Sequence, residues 1–195
     1  MSDSTASKDR PKVTIEIQNV VSSINLHTAI NLEQAAIGFP PTVRVSYIPD
    51  QFPGLVLKLR RPKVSILVFS SGKCVITGAK NIKQIYEAVN ALNNLLIDIG
   101  MQIDESPLIT IQNVVASGNL HDTINLELAA LTLETSMYEP EVFPGLIYRM
   151  QDPKVVILFF QSGKFVCTGG KREEVIHEAA EKARTILDEV GALGW

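Results

Sequence analysis

The most constraining feature of this 195-residue chain is an internal duplication. The segment Ile17–Glu33 returns as Ile111–Glu127, with 13 of 17 positions identical at an offset of 94 residues. The segment Phe52–Lys80 returns as Phe143–Lys171, with 17 of 29 positions identical at an offset of 91 residues. A duplicated unit sets the architecture before any local propensity is considered. The sequence therefore predicts two pseudo-symmetric repeats.

We place a polar leader at residues 1–12, the first repeat at 13–100 and the second at 101–195. Each repeat begins with a strand of alternating branched apolar residues, followed by a short helix that Asn31 or Asn125 would cap. Four more strands follow, the first of them predicted over residues 42–48, and short turns containing Pro or Gly separate them. A long amphipathic helix completes each repeat. Its apolar stripe comprises Ile82, Ile85, Val89, Leu92 and Leu96 in the first copy, and Val175, Ile176, Ala179, Ala183, Ile186 and Leu187 in the second.

One layer of helices can cover only one face of a sheet. Joined edge to edge, the two repeats would form an α+β fold with a ten-stranded antiparallel curved sheet, or saddle. The helices would lie on its convex face, and its concave face would stay open. An exposed apolar sheet face of this size indicates a partner.

Strand alternation separates the residues of the two faces. In VSILVF, Val64 and Val68 share one side, whereas Leu67 and Phe69 share the other. Any one such residue, taken alone, is more often part of a core. The open-side residues as a set are identical between the copies, while the covered positions vary in size. The predicted open side carries Asn19, Val21, Leu67, Phe69, Val75 and Thr77 in the first repeat, and Asn113, Val115, Leu158, Phe160, Val166 and Thr168 in the second.

The charge distribution is more informative than the net charge. A formal charge of -3 and a pI near 5.6 argue, by themselves, against nucleic-acid binding. Residues 42–80, however, contain seven Lys and Arg side chains against the single acid Asp50, while Asp and Glu concentrate in the last helix. One surface can therefore be basic within an acidic protein.

The remaining composition excludes several classes. No apolar run is long enough to span a bilayer, so we expect a cytoplasmic protein without a membrane partner. Cys74 and Cys167 lie in apolar surroundings without metal-ligand spacing, which predicts reduced core thiols. His27, His121 and His177 also lack such spacing, and neither a phosphate-binding loop nor a nucleophile motif is present. We therefore expect no enzymatic activity, metal or cofactor, although a scaffold that binds another protein through the apolar face stays an alternative.

Several motifs carry a family resemblance. IQNVV, FPGL, the PKV turn before ILVFSSGK or ILFFQSGK, and TGAK or TGGK resemble the repeat motifs of TATA-box-binding proteins, from Val13 to Gly191. The short leader and acidic pI are similar to archaeal members. The resemblance implies a general transcription initiation factor, acting at the chromosome in the cytoplasm of an archaeal cell. It also implies that the factor binds and bends double-stranded promoter DNA, and recruits transcription factor B and, indirectly, RNA polymerase.

The resemblance assigns roles to particular side chains. Phe52 with Phe69, and Phe143 with Phe160, match the family's wedge positions, where paired rings enter a base step and unstack it. Glu139 and Glu141 match the loop that meets transcription factor B. A homodimer in the absence of DNA is a further possibility. The predicted phosphate contacts are Arg44, Lys58, Arg60, Lys63, Lys73, Lys80, Arg149, Lys154, Lys164 and Lys171.

Side-chain chemistry predicts selection for A·T pairs. Guanine places an amino group on the minor-groove floor, and an apolar side chain can neither accept its hydrogen bond nor solvate it. Adenine N3 and thymine O2 are acceptors, to which the two Asn and two Thr side chains can donate. RNA is disfavoured because its minor groove displays 2′-hydroxyls that an apolar face leaves unsatisfied.

Overall fold

The computed structural model describes residues 10–103 and 106–194, so the first nine residues of the predicted leader lie outside it. Four helices occur in this part of the chain: α1 (Leu32–Gly38), α2 (Ile82–Asp98), α3 (Leu126–Thr132) and α4 (Glu173–Glu189). The strands of the first repeat are β1 (Thr14–Asn25), β2 (Arg44–Ser46), β3 (Leu55–Arg60), β4 (Lys63–Val68) and β5 (Lys73–Ala79). Those of the second are β6 (Leu108–Asn119), β7 (Ser136–Met137), β8 (Leu146–Met150), β9 (Val155–Phe159) and β10 (Lys164–Gly170).

The ten strands are hydrogen-bonded in the order β2-β3-β4-β5-β1-β6-β10-β9-β8-β7, which is the same order read outward from the centre in either repeat. The chain divides into two compact units, one comprising Ile17–Val114 and the other Val115–Trp195 with the N-terminal segment that ends at Glu16. The division falls inside β1 and β6, because each of these 12-residue strands contributes to both units. The predicted α+β class with ten antiparallel strands in two repeats is confirmed.

In the unit of residues 17–114, α2 supplies the apolar layer that covers one sheet face. Ile85, Val89, Leu92 and Leu96 of this helix are buried, as predicted. Ile82 was wrongly assigned to this stripe, since its side chain is 48% exposed. It is the first residue of the helix, so no preceding turn of α2 covers its side chain.

The unit completed by residues 115–194 is built in the same way. Ile176, Ala179, Ala183 and Leu187 of α4 are buried, whereas Val175 and Ile186, predicted for the same stripe, are only half-buried. The sheet side of this core contains Ile157, Phe159, Phe165 and Cys167. Both units therefore bury one face of their sheet beneath one long helix.

The cores of the two repeats differ in which of two neighbouring strands carries the larger side chain. In the first repeat Ile24 of β1 pairs with Cys74 of β5. The residues at the same places in the second repeat are Gly118, 94 positions on, and Phe165, 91 positions on. A Cβ built on Gly118 would lie 2.2 Å from Cζ of Phe165, so the missing side chain makes room for the ring.

The short helices begin as the sequence predicts. Asn31 Oδ1 accepts from the backbone N–H of Gln34, and Asn125 Oδ1 accepts from that of Leu128, both at 3.0 Å. These hydrogen bonds satisfy one of the free N–H groups at each helix start. The strand predicted over residues 42–48 is shorter, because only Arg44–Ser46 pairs with β3 before the chain turns at Pro49.

Candidate nucleic-acid interface

The face opposite the helices is accessible in both units. Of the 14 predicted base-contacting side chains, 13 are half-buried, and Phe52 is exposed. The alternate residues on the same strands, such as Ile66 and Ile76 in one unit and Ile157 and Cys167 in the other, are buried. We call the accessible side the open half-face of each repeat. Strand alternation thus placed twelve of these residues on the accessible side, and the family resemblance added Phe52 and Phe143.

The predicted wedge residues form an edge-to-face aromatic pair in each repeat. The ring centroids of Phe52 and Phe69 are 5.8 Å apart with an interplanar angle of 64°. Those of Phe143 and Phe160 are 5.9 Å apart with an angle of 68°. Such T-shaped contacts are favourable beyond the area that they bury. Each pair therefore supports its own rings in a fixed mutual orientation at the surface.

The glycine of each FPG motif explains how the two rings approach the backbone. A Cβ on Gly54 would lie 2.7 Å from Cε1 of Phe52 and 3.1 Å from Cε1 of Phe69. The corresponding distances from Gly145 are 2.7 Å and 3.1 Å, to its own pair of rings. Any side chain at these glycines would push the rings away. The glycines were absent from the predicted site, although their recurrence in FPG at both copies was a usable signal.

A hydrogen-bond network orients the amide of Asn19 on the first open half-face. Its Oδ1 accepts from the backbone N–H of Gly78 at 2.7 Å, and its Nδ2 donates to Oγ1 of Thr77 at 3.3 Å. Because Gly78 N–H can only donate, it determines which end of the amide is the carbonyl. The NH₂ group retains a second hydrogen for a ligand. Thus the first half-face presents an oriented amide donor amid Val21 and Val75.

A groove of about 730 Å³ is lined in part by residues of the first half-face, and its lining does not include Phe52 or Phe69. Ser65 and Thr77 of the half-face contribute to it, and its other lining residues are predominantly basic. The cations are Arg44, Lys58, Arg60, Lys63 and Lys80. All five side chains are exposed, and none of them belongs to an ion pair found within the described residues. This clustering raises the local positive potential despite the net negative charge.

The other predicted phosphate contacts are also exposed. They are Lys73 in the first repeat and Arg149, Lys154, Lys164 and Lys171 in the second. The second repeat carries Asp152 where the first has Arg61, and this carboxylate forms an ion pair with Lys182 at 2.9 Å. The second repeat thus has four of the predicted phosphate contacts, against six in the first.

Glu139 and Glu141 lie in the turn that precedes Phe143. The backbone N–H groups of Val142 and Phe143 both donate to the carbonyl of Glu139 at 2.9 Å, which closes the turn. Both carboxylates are exposed, and the side chain of Val142 between them and the ring is 80% exposed. The turn presents acidic and apolar groups together.

The histidines and cysteines play local roles in this part of the chain. His27 and His121 have positive φ values of 54° and 58°, and each backbone N–H donates to the Asn side chain two residues earlier. Cys74 and Cys167 are free and buried, and burial raises the pKa of each thiol to about 12. Within residues 10–103 and 106–194, no cluster of three or more His, Cys, Asp or Glu side chains could hold a metal ion. No helix there has the length and hydropathy needed to cross a membrane.

The fold and the open half-faces define a class of duplicated sheet proteins, covered by helices on one side and apolar with basic edges on the other. Residues 14–99 and 108–190 each match the family model described as "Transcription factor TFIID (or TATA-binding protein, TBP)". The chain belongs to this family of general transcription factors.

Relatives and a solved structure agree with this assignment. The TATA-box-binding protein of Pyrobaculum aerophilum is 51% identical over 177 residues, which cover 91% of this chain and 87% of the relative. That of Sulfurisphaera tokodaii is 49% identical over 171 residues, with coverage of 88% and 85%. The structure of Methanococcus jannaschii TBP is similar with a TM-score of 0.84 and 44% identity, covering 92% of this chain and 99% of that one.

Proposed function

We propose that this protein binds the minor groove of A·T-rich promoter DNA and bends it, as a general transcription initiation factor. The observation that carries the proposal is the open half-face in each repeat, which is apolar, accessible and matched between repeats. An exposed surface of this kind disfavours a monomer in water unless a partner covers it. Family membership makes duplex DNA at TATA-box promoters the partner.

The open half-faces require a deformed duplex. A B-form minor groove is about 6 Å wide, which is too narrow to admit a sheet. The groove must therefore open as the protein binds, and unstacking at two base steps provides the opening. The pairs Phe52 with Phe69 and Phe143 with Phe160 would act as the wedges, because their rings stand accessible and mutually supported.

Base selection follows from the groups between the wedges. The second N–H of Asn19 can donate to adenine N3 or thymine O2, both of which are acceptors in the minor groove. Valine side chains around it offer nothing to a guanine amino group, which would lose its hydrogen bond to water. The exposed Lys and Arg side chains would contact phosphates at the edges. Binding should therefore weaken steeply with salt and discriminate against G·C pairs.

The DNA proposal is tested by measuring affinity and bending on an A·T-rich octamer and on a G·C-substituted one. We expect tight, salt-dependent binding only to the first. Phe69→Ala or Phe160→Ala should reduce the bend angle, measured by energy transfer between dyes at the duplex ends, more than the association rate. Equal affinity for the A·T-rich octamer and for one with G·C pairs in both halves would contradict the proposal. If both Phe variants still bend the DNA, the assignment of these rings as wedges is wrong, but the DNA-binding proposal stands.

We further propose that the turn containing Glu139 and Glu141 binds transcription factor B, which in turn recruits RNA polymerase to the chromosome in the cytoplasm. Its exposed carboxylates and the exposed Val142 side chain form a compact mixed surface outside the half-face. Reversing both charges with Glu139→Lys and Glu141→Lys should weaken the ternary complex while binary DNA affinity changes little. A parallel loss of both affinities would refute this assignment. Asp50 is the first-repeat counterpart of Glu141, so Asp50→Lys is the matched control for Glu141→Lys made alone.

Without DNA, the same apolar half-faces could be covered by a second copy of the chain. We propose that such a homodimer forms at high protein concentration and dissociates when DNA binds. Sedimentation velocity with and without the A·T-rich octamer tests this, and a monomer at all concentrations would exclude the dimer.

A further inference from the structure

The two open half-faces differ chemically beside a predicted base-contacting threonine. Ser65 of β4 and Val156 of β9 are 91 positions apart in the duplicated segment, and both are half-buried on the open side. Around them, Leu67 and Thr77 have identical counterparts in the second repeat. A hydroxyl in one repeat thus replaces a branched hydrocarbon in the other, beside Leu and Thr side chains that are the same in both repeats.

The register places Ser65 next to a predicted base-contacting group. Ser65 is the cross-strand partner of Thr77 on one side and of Lys58 on the other. Val156 occupies the same place between Thr168 and Arg149. Side chains of directly paired residues have Cβ atoms about 4.5–5.5 Å apart. Whatever base pair meets one of the central threonines therefore also lies within reach of Ser65 or Val156.

The groove around Ser65 adds a second observation. Ser65 lines the basic groove of the first half-face together with Thr77 and five cations. A DNA phosphate backbone held at these cations brings the floor of the adjoining DNA minor groove toward the hydroxyl groups of Ser65 and Thr77. A Ser hydroxyl can accept a hydrogen bond as well as donate one, whereas Val can do neither.

We propose that Ser65 makes the two DNA half-sites unequal, an inference that rests on the proposed minor-groove function. The first repeat accepts a G·C pair opposite Ser65, because Oγ accepts the guanine amino hydrogen that an A·T pair does not offer. The second repeat rejects a G·C pair at the equivalent step, because Val156 leaves that donor without a partner. One unsatisfied buried donor weakens binding by about tenfold or more.

This inequality supplies a direction of binding. Minor-groove acceptors do not distinguish A·T from T·A, so an all-A·T element cannot orient a pseudo-symmetric protein through its base edges. A single G·C pair in one half of the element can do so. The protein would bind with its first repeat over the half that contains the pair.

The test uses the full chain and A·T-rich octamers that carry one G·C pair in either half or none. Orientation is read by attaching an iron chelate to a cysteine introduced by Asp50→Cys, an exposed position in the loop before the first aromatic pair, and mapping the DNA cleavage. The native cysteines are buried, so they do not compete for the reagent. We expect cleavage concentrated beside the half with the G·C pair and equal cleavage on the all-A·T octamer.

Reciprocal variants serve as matched controls. Ser65→Val should abolish the orientation and weaken binding to the G·C-containing octamers by about tenfold. Val156→Ser should also abolish the orientation, because the second repeat would then accept a G·C pair as well. The double exchange Ser65→Val with Val156→Ser should reverse the orientation. Thermal denaturation of each variant checks that it is folded.

The failures are distinguishable. If the wild-type chain binds no octamer, the proposed function itself is wrong. If it binds the all-A·T octamer but shows no orientation on the others, only the present inference is overturned. If Ser65→Val weakens binding to all octamers by one factor, Ser65 contacts the DNA backbone, and the inference is likewise overturned.

Discussion

The size exchange between the repeats allows a quantitative test of the second core. A methyl group added by Gly118→Ala would lie 2.2 Å from Cζ and 2.6 Å from Cε1 of Phe165, and 2.6 Å from the carbonyl oxygen of Thr14. The Phe165 side chain is only 1% exposed, and its ring centroid lies 6.4 Å from that of buried Phe159, so moving the ring disturbs other core side chains. The clash therefore has to be relieved by moving β1, β6 or the ring.

Overpacking of a core costs about 1–3 kcal/mol. With two ring carbons and a backbone oxygen inside normal contact distance, we place Gly118→Ala at the upper end, about 3 kcal/mol. The change also reduces the entropy of the unfolded chain, which offsets about 0.4–1 kcal/mol. For a chain of this size each kcal/mol lowers Tm by about 2–4 °C, so the expected loss is about 4–10 °C.

The double-mutant cycle with Phe165→Cys identifies the cause. Phe165→Cys installs the residue of the first repeat and should itself cost about 3 kcal/mol, because it opens a cavity. In the double variant the added methyl group no longer meets the ring. The destabilisation of the double variant should therefore be smaller than the sum of the two single-variant values by about 1 kcal/mol or more. The contact with the Thr14 carbonyl persists, and it keeps the rescue partial.

Scanning calorimetry and circular dichroism provide the measurements. Gly54→Ala is the matched control, because its added methyl would lie closest to the ring ends of Phe52 and Phe69, while the nearest backbone atom, the Val68 carbonyl oxygen, is 3.2 Å away instead of 2.6 Å. Those rings can move outward, so Tm should change little. A Gly118→Ala protein that melts within about 2 °C of wild type, or costs that simply add, would refute the packing argument.

Three further predictions concern the site and the buried polar groups. Gly145→Ala should reduce DNA bending, measured by energy transfer, because the methyl group displaces the Phe143 ring from its pair. Ser22→Ala should raise the unfolding free energy by about 1 kcal/mol in denaturant titrations, because its buried hydroxyl has no hydrogen-bond partner within the described residues. Cys74 and Cys167, whose pKa values burial raises to about 12, should resist alkylation at about pH 8 until the protein unfolds. Since the folded pKa exceeds the unfolded value of about 8.5, stability should be complete below that pH and decline as pH rises toward 12.

Each of these three has a contrary outcome. Unchanged bending in Gly145→Ala would mean that the ring pair does not need its native position. A loss of stability in Ser22→Ala would indicate that the hydroxyl is satisfied in solution. Fast alkylation of the native thiols would place at least one of them at the surface.

Much of the open half-face was predictable because strand alternation is a local property. Once Val64 and Val68 are assigned to the helix-covered side, the opposite orientation of Leu67 and Phe69 follows from the geometry of an extended backbone. The prediction was wrong for Ile82, since an apolar residue at helical spacing is buried only where another element lies opposite it. Periodicity describes one element and not its neighbours.

Other features depended on contacts that a linear pattern does not contain. FPG marks a recurring glycine, but the 2.7 Å approach of Phe52 to the Cβ position of Gly54 emerges only when the loop folds back. The oriented amide of Asn19 likewise requires Gly78, which is 59 residues away along the chain. The approach of Phe52 to Gly54 and the hydrogen bond from Gly78 to Asn19 each determine how a predicted site residue is held.

By itself the sequence determined the duplication, the side of the sheet on which each residue lies, and the Asn caps of the short helices, because these depend on repeats and spacing within a few residues. Tertiary structure alone decided that Gly118 accommodates Phe165 and that Ser65 adjoins both Thr77 and a basic groove. These relationships are set by the register between strands, and register places atoms from distant parts of the chain at van der Waals distance. Steric fit and hydrogen bonding act at that distance, whatever the separation along the chain.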